Sequence, residues 1–174
     1  PGHVLHELIS NDRIIGGISP ACAERAVAFY RLFVSGELHV TDARTAEMVK
    51  LTENSFRDVN IALANELSLV CDHLDIDVWE LIAHANHHPR VNLLRPGPGV
   101  GGHCIAVDPW FVINSDPSHT QLIRTARDVN DSNPGWVVDK VKALAAGVSS
   151  PSLSCLGMSF KADTDELRES PAVE

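Results

Sequence analysis

Residues 45–74 contain neither glycine nor proline. No other feature limits the fold of this chain as much. With nothing to break it, the run reads as one helix of roughly 45 Å at 1.5 Å per residue. Its apolar residues, Met48, Val49, Leu51, Phe56, Val59, Ile61, Leu63, Leu67 and Val70, point in nearly all directions, so the helix is expected to be buried on most sides. A chain of 174 residues can bury a sizeable core. Covering so long a helix all round requires either a large helical domain or a second subunit.

The flanking sequence is of a different kind. Arg13, Ile14 and Ile15 run into Gly16 and Gly17 as a short strand. Ser19 then stands as an N-cap with Pro20 at the first helical position. That helix is predicted to reach about Val34 and to bury Ala26, Phe29, Tyr30 and Phe33. Residues 38–41 are a second strand candidate, so strand, helix and strand form what resembles the edge of an α/β sheet. Past the long helix, Asp77 caps a helix from Val78 to about Asn86, stopped by Pro89. A further helix is predicted from Cys104 to Ile113. Residues 122–130 and 134–146 make one kinked helix or two, because Pro134 removes a backbone donor. Residues 152–157 read as a buried strand opening a new sheet. The expected fold class is mainly α, with a helical domain at 44–148 flanked by incomplete α/β pieces at 1–43 and 149–174.

Fourteen basic against 23 acidic side chains give a net charge of −9, which excludes the basic face of a nucleic-acid or anionic-membrane binder. No apolar run approaches the roughly 18 residues of a membrane span. The start lacks a methionine and the basic and apolar regions of a secretory signal. The far end lies in charged, turn-rich sequence, so both ends read as cut. The four cysteines form no CxxC pair and are expected to be the reduced thiols of a cytosolic protein. Cys22, Cys71 and Cys155 are assigned to the core. His84, His87 and His88 have ligand-like spacing but no carboxylate or thiolate companion, so a solvated helix end is expected and no metal. The glycines of residues 97–102 do not follow a clear strand and lack the G-x-G-x-x-G spacing of a dinucleotide loop.

Two groups of residues could carry chemistry. Lys50 and Asn54 are four apart on one helix face, with Arg57 a turn further on. Either this face is merely solvated, or it lies within the buried helix, where a lysine withdrawn from water gives up its proton more readily. Cys104 follows Gly101-Gly102-His103 and is read as opening a helix, where the positive end of the helix dipole stabilises a thiolate. Asp108 is one turn on. The alternative is a small apolar cysteine packed in a tight turn.

Three longer strings then fall in order. Lys50-Leu51-Thr52-Glu53-Asn54-Ser55-Phe56-Arg57-Asp58 and the residues to Glu66 resemble the central-domain helix of the nucleotide-sugar 6-dehydrogenases, the family of UDP-glucose and GDP-mannose dehydrogenases. Pro96-Gly97-Pro98-Gly99-Val100-Gly101-Gly102-His103-Cys104 and the residues to Pro109 resemble the family's catalytic-cysteine loop. Phe160-Lys161-Ala162-Asp163-Thr164-Asp165 and the residues to Ser170 resemble the start of its C-terminal nucleotide-binding domain. His88-Pro89-Arg90-Val91-Asn92 and Val107-Asp108-Pro109-Trp110-Phe111 look most like the branch that acts on UDP-N-acetyl-D-mannosamine, with the UDP-N-acetylglucosamine enzymes as near neighbours.

The resemblance implies that 1–43 ends a Rossmann-like NAD-binding domain, 44–148 is a central helical dimerisation domain, and 149–174 begins a UDP-binding domain. It implies a cytoplasmic homodimer that oxidises the sugar C6 alcohol to a carboxylate with two NAD, for bacterial surface polysaccharide. Cys104 would attack the intermediate aldehyde, Lys50 and Asn54 would stabilise oxyanions, and Asp108 would act as a base or orient water. Arg57, His88, Arg90, Gly101, Phe160 and Lys161 would contact the UDP-sugar, with Arg90 reaching in from a neighbouring subunit, and Arg168 would reach NAD. The family's NAD-binding glycine motif has no match here, so the chain alone is expected to bind NAD weakly and not to turn over. Two other classes are a helical dimerisation or ligand-binding module without catalysis, and an independent cysteine hydrolase.

Overall fold

A computed structural model describes residues 3–161 and 163–173. The chain divides into two compact units, Pro1–Glu53 and Asn54–Glu174. In the first, strand β1 (Arg13–Gly17) pairs in parallel with β2 (Leu38–Asp42), in a register that sets Arg13 opposite Leu38 and Gly17 opposite Asp42. Parallel neighbours need a crossover, and helix α2 (Pro20–Tyr30) supplies it. Ser19 caps α2 by accepting from the Cys22 N–H. The helix approaches β1 closely at Gly17, where a Cβ would come within 2.6 Å of the Ala23 nitrogen, so a side chain there would push the layers apart. A short helix, α1 (Val4–Ser10), precedes the sheet and is an addition to the sequence reading.

Helix α3 runs over Ala43–Leu74, 32 residues without a break, contributing to the first unit up to Glu53 and to the second from Asn54. The second unit continues with α4 (Val78–Ala85), capped by the Asp77 carboxylate, then α5 (Asp108–Ser115) and α6 (Gln121–Ala145). Its buried apolar side chains are small or few: Ala62, Ala64, Cys71, Ile82, Ile113 and Ala126. Pro134 sits inside α6 without ending it, so the two segments form one helix. The protein is mainly helical with a two-stranded parallel sheet. Among the described residues no helix is long and apolar enough to cross a membrane.

Several expectations are corrected. Helix α2 stops at Tyr30, followed by a turn through Phe33, and Phe29 is exposed; the face that packs on the sheet is the one carrying the buried Ala23. The long helix is not buried on most sides. Its buried positions are Asn54, Ser55, Asp58, Ala62, Ala64, Asn65, Ser68 and Cys71, while Phe56, Leu63 and Val70 are 67%, 45% and 47% exposed. Polar and small residues face inward because α6 presents polar side chains to them. Residues 152–157 form no strand, since no neighbouring strand stands beside them among the described residues, and Leu153 and Leu156 are exposed. Cys71 is buried as expected, but Cys22 in the first turn of α2 and Cys155 in the irregular segment are exposed. All four thiols are free.

Candidate active site

Cys104 lies in a turn ahead of α5, not at a helix start. Its carbonyl accepts from the Val107 N–H at 3.2 Å and the Asp108 N–H at 2.8 Å, and helix geometry begins only at Asp108. Pro109 explains the shift: proline belongs in a first helical turn, so the helix opens beside it rather than five residues earlier. The thiol is exposed. Asp108, half-buried at the opening of α5, accepts a 2.5 Å hydrogen bond from the Asn54 Nδ2 of α3. The buried Asn54 therefore holds a carboxylate whose own backbone N–H is tied to the carbonyl of the cysteine. A carboxylate and an oriented amide are brought together from two helices, next to the turn that carries the exposed thiol.

The glycine loop is closed from the other side by Phe160, Glu169 and Pro171. A Cβ on Gly101 would lie 2.5 Å from both the Glu169 carbonyl oxygen and the Phe160 Cβ, and one on Gly102 would lie 2.8 Å from the Phe160 ring. Gly102 has φ +83°, a region that favours glycine, and its N–H donates to the Glu169 carbonyl at 3.3 Å. Glu169 is itself held at φ +52°, a strained conformation for a residue with a side chain. Ser170, buried, anchors the segment by donating to the Met158 carbonyl at 2.6 Å. Gly101 and Phe160, singled out separately in the sequence, are thus in contact. Beside them Glu166 accepts from Arg168 Nε at 2.8 Å and Nη2 at 2.5 Å and stands 3.4 Å from His103 Nε2. The hydrogen bonds from Arg168 hold the Glu166 carboxyl down to about 2.

The remaining candidates lie at the surface. Lys50 belongs to the first unit, where its side chain is 65% exposed and pairs with Glu53 at 3.3 Å; the burial expected around it is absent. In the second unit Arg57, His88, Arg90, Lys161 and Arg168 are all exposed. The His88 ring accepts from the Arg90 N–H at 3.3 Å, which shapes the turn after α4.

Sequence reasoning missed a buried polar network behind the loop. Arg127 of α6 donates to Asp58 of α3 at 2.6 Å and also pairs with Asp131; both Asp58 and Arg127 are almost wholly buried. Burial pushes the Asp58 carboxyl up, while the Arg127 guanidinium and the Asn130 amide pull against it. Asn130, Asn65 and Asn133 continue the network to Gly97. A signal existed: residues 54, 58 and 65 share one helix face, as do 127, 130 and 133, and a polar stripe in each of two helices invites pairing.

Comparison with known proteins identifies the family. The central domain of the UDP-glucose/GDP-mannose dehydrogenase family matches residues 44–132, half of the chain, and includes Asn54, Cys104 and Asp108. The chain belongs to that family. Over its whole length it is 64% identical to an NDP-N-acetyl-D-galactosaminuronic acid dehydrogenase of Ralstonia nicotianae, covering 41% of that protein. It is 60% identical, again over its whole length, to a UDP-N-acetyl-D-mannosamine dehydrogenase of Campylobacter jejuni, covering 43% of it. Among solved structures, a UDP-N-acetyl-mannosamine dehydrogenase of Staphylococcus aureus superposes with a TM-score of 0.90 at 54% identity, over 99% of this chain and 41% of that one. The chain thus spans about two fifths of the curated relatives it matches. The family match also places the exposed stripe of α3, Phe56, Leu63 and Val70, within the shared central domain.

Proposed function

We propose that this chain is the core of an NAD-dependent UDP-sugar 6-dehydrogenase that oxidises UDP-N-acetyl-D-mannosamine to its uronate in two steps, for bacterial surface polysaccharide. The observation that carries the reading is the Asn54–Asp108 hydrogen bond beside the exposed Cys104 turn. In this scheme residues 1–43 complete an NAD-binding domain, 44–148 form the helical dimerisation domain and 149–174 begin a UDP-binding domain. The exposed stripe of Phe56, Leu63 and Val70 at seven-residue spacing supports a homodimer, which would remove it from water. The enzyme is proposed to work in the cytoplasm, where its free thiols stay reduced.

NAD, when bound, accepts a hydride in each oxidation. Of the described residues Arg168 would be one partner: its side chain is 70% exposed, with Nε and Nη2 taken by Glu166. The rest of the work falls to this chain's own groups. The Cys104 thiolate adds to the carbonyl carbon of the sugar aldehyde, and the carbonyl oxygen takes up the electron pair. Asn54, already polarised by Asp108, offers an amide donor to that oxygen. After the second oxidation the carbon is a thioester. Asp108 would orient water and take its proton as the water oxygen bonds to the thioester carbon; the C–S bond then breaks, returning the thiolate and releasing the carboxylate. Lys50 would supply a further proton and charge to the oxygen. Gly101, Phe160, Lys161, Arg57, His88 and Arg90, the last from a neighbouring subunit, would hold the sugar nucleotide.

The test counts NADH per UDP-sugar in the full-length protein, with UDP-N-acetylmannosamine, UDP-N-acetylglucosamine and UDP-glucose run in parallel. Two NADH per UDP-N-acetylmannosamine, lost in Cys104→Ala, is the expected result. No NADH from any of the three overturns the reading.

A further inference from the structure

The loop that leads to Cys104 is gripped at a single peptide residue by two helices. Gly97 N–H donates to Asn65 Oδ1 of α3 at 2.9 Å, and Gly97 C=O accepts from Asn133 Nδ2 of α6. Asn65 is 0% exposed and Asn133 3%, so neither amide has water to turn to. A Cβ at Gly97 would meet nothing within 4 Å, which means the grip is polar and not steric. At its other end the loop is held by the Gly102 N–H on the Glu169 carbonyl. The segment carrying Gly101 and running into Cys104 is therefore tied down on both sides.

An asparagine amide has a donor end and an acceptor end, and either could face Gly97. What decides is a carboxylate two residues away in the chain of bonds. Asp58 accepts only, so Asn130 must turn its Nδ2 toward it, at 2.8 Å from Oδ1 and 3.1 Å from the Asp58 carbonyl. That leaves Asn130 Oδ1 to accept from Asn65 Nδ2 at 2.9 Å. Asn65 then has only its oxygen for Gly97, and a backbone N–H is what Gly97 presents. Arg127, bound to the same Asp58 oxygen at 2.6 Å, keeps the carboxylate in place. Reversing any one amide would set two donors or two acceptors against each other in a site without water, at a cost in each case of a buried unpaired group.

We propose that Asn65 and Asn133 are positioning residues for the Cys104 loop, with the Asp58–Asn130 pair fixing the polarity of the Asn65 side of the grip. Neither asparagine need touch substrate. They act by holding the Gly97 peptide so that Gly101 and Cys104 stay where the sugar and its C6 carbon arrive. The role rests on the dehydrogenase reading above, because it assigns the loop to the reacting thiol. A misplacement of about 1 Å at such a loop can cost on the order of a hundredfold in rate.

Asn65→Leu and Asn133→Leu, made singly in the full-length protein, test this, because leucine keeps the forked four-atom side chain of asparagine and removes its donor and acceptor. The first readout needs no activity. Hydrogen–deuterium exchange at the Gly97 amide is expected to rise at least tenfold in Asn65→Leu, and the ratio of iodoacetamide alkylation rates at Cys104 and Cys22 to move at least threefold in both variants. The second is kinetic: kcat with UDP-N-acetylmannosamine is expected to fall at least tenfold in each, with KM for NAD within twofold of the parent. A general loss of structure would move that KM and the alkylation of Cys22 as well. If a variant does not fold, the unaltered protein still decides, since its Gly97 amide is expected to exchange at least ten times more slowly than the Gly99 amide beside it. Unchanged Gly97 exchange in Asn65→Leu, equal exchange at Gly97 and Gly99, or a kcat within twofold of the parent in both variants overturns the proposal. If the parent oxidises no UDP-sugar while exchange and alkylation change as stated, the grip stands and the dehydrogenase reading falls.

Discussion

Removing the Asp58 carboxylate strips a buried guanidinium of its main partner. Asp58 is 0% exposed and Arg127 2%, and the two are 2.6 Å apart, so Asp58→Ala leaves a positive charge in a site with no water to replace the lost oxygen. The Arg127 bond is charge-assisted and worth about 1.5–3 kcal/mol, and the Asn130 amide, which loses the carboxylate but keeps the Asp58 carbonyl at 3.1 Å, adds about 1 kcal/mol. Their sum overlaps the roughly 3–5 kcal/mol seen when one member of a buried ion pair is removed. Arg127 keeps its contact with Asp131, a side chain 53% exposed, which moves the expectation to the lower end, about 3 kcal/mol. With a urea slope of about 2 kcal/mol/M, the unfolding midpoint of Asp58→Ala should fall by about 1.5 M. Asp58→Leu combined with Arg127→Met removes both charges and should regain at least half of the loss, because a buried pair is often no more stable than its apolar replacement. A midpoint shift below about 0.3 M in Asp58→Ala would refute the reasoning, for it would mean that water reaches Arg127 in the folded protein.

Three further outcomes follow from the geometry. Gly101→Ala would place a methyl 2.5 Å from Glu169 O and Phe160 Cβ; it should cost about 1–3 kcal/mol and raise proteolytic cutting between residues 150 and 170, and uncut protein would count against that packing. Glu166 is held down to about 2 by Arg168, so what it adds to folding is present above its ordinary value of 4.5 and is lost as pH falls through about 2. A carboxyl-carbon titration by NMR should show that midpoint in the parent and a return toward 4.5 in Arg168→Ala; the same midpoint in both would remove Arg168 as the cause. In the proposed homodimer, Leu63→Asp would set a carboxylate into the exposed stripe of α3 once in each subunit, and sedimentation of the full-length protein should show at least a hundredfold weaker association, which an unchanged mass would contradict.

What the sequence disclosed and what it withheld divide along physical lines. The elements that rest on local rules were legible: β1 on its apolar run closed by glycines, the Ser19 and Asp77 caps, and the unbroken α3. The errors came where local preference met a partner. Residues 152–157 carry the composition of a strand, yet a strand exists only beside another, and no strand among the described residues pairs with them. Cys104 reads as a helix opening until Pro109 is given its due, because a proline near a helix start says where the first turn is. The burial of α3 departs from expectation for a deeper reason. Apolar residues spread around a helix predict burial on most sides, but Phe56, Leu63 and Val70 lie outward and Asn54, Asp58 and Asn65 lie inward. A helix can be turned this way only if its polar face finds complementary groups, and Arg127, Asn130 and Asn133 supply them from a helix 50 or more residues further along the chain. The apolar stripe is then free to serve an interface, while the polar one carries Asn54 to Asp108 and Asn65 to the cysteine loop. The same inversion that misled the reading of the core is what puts amides and carboxylates where chemistry needs them, so in a helix of this kind the inward polar residues are the ones to inspect first for function.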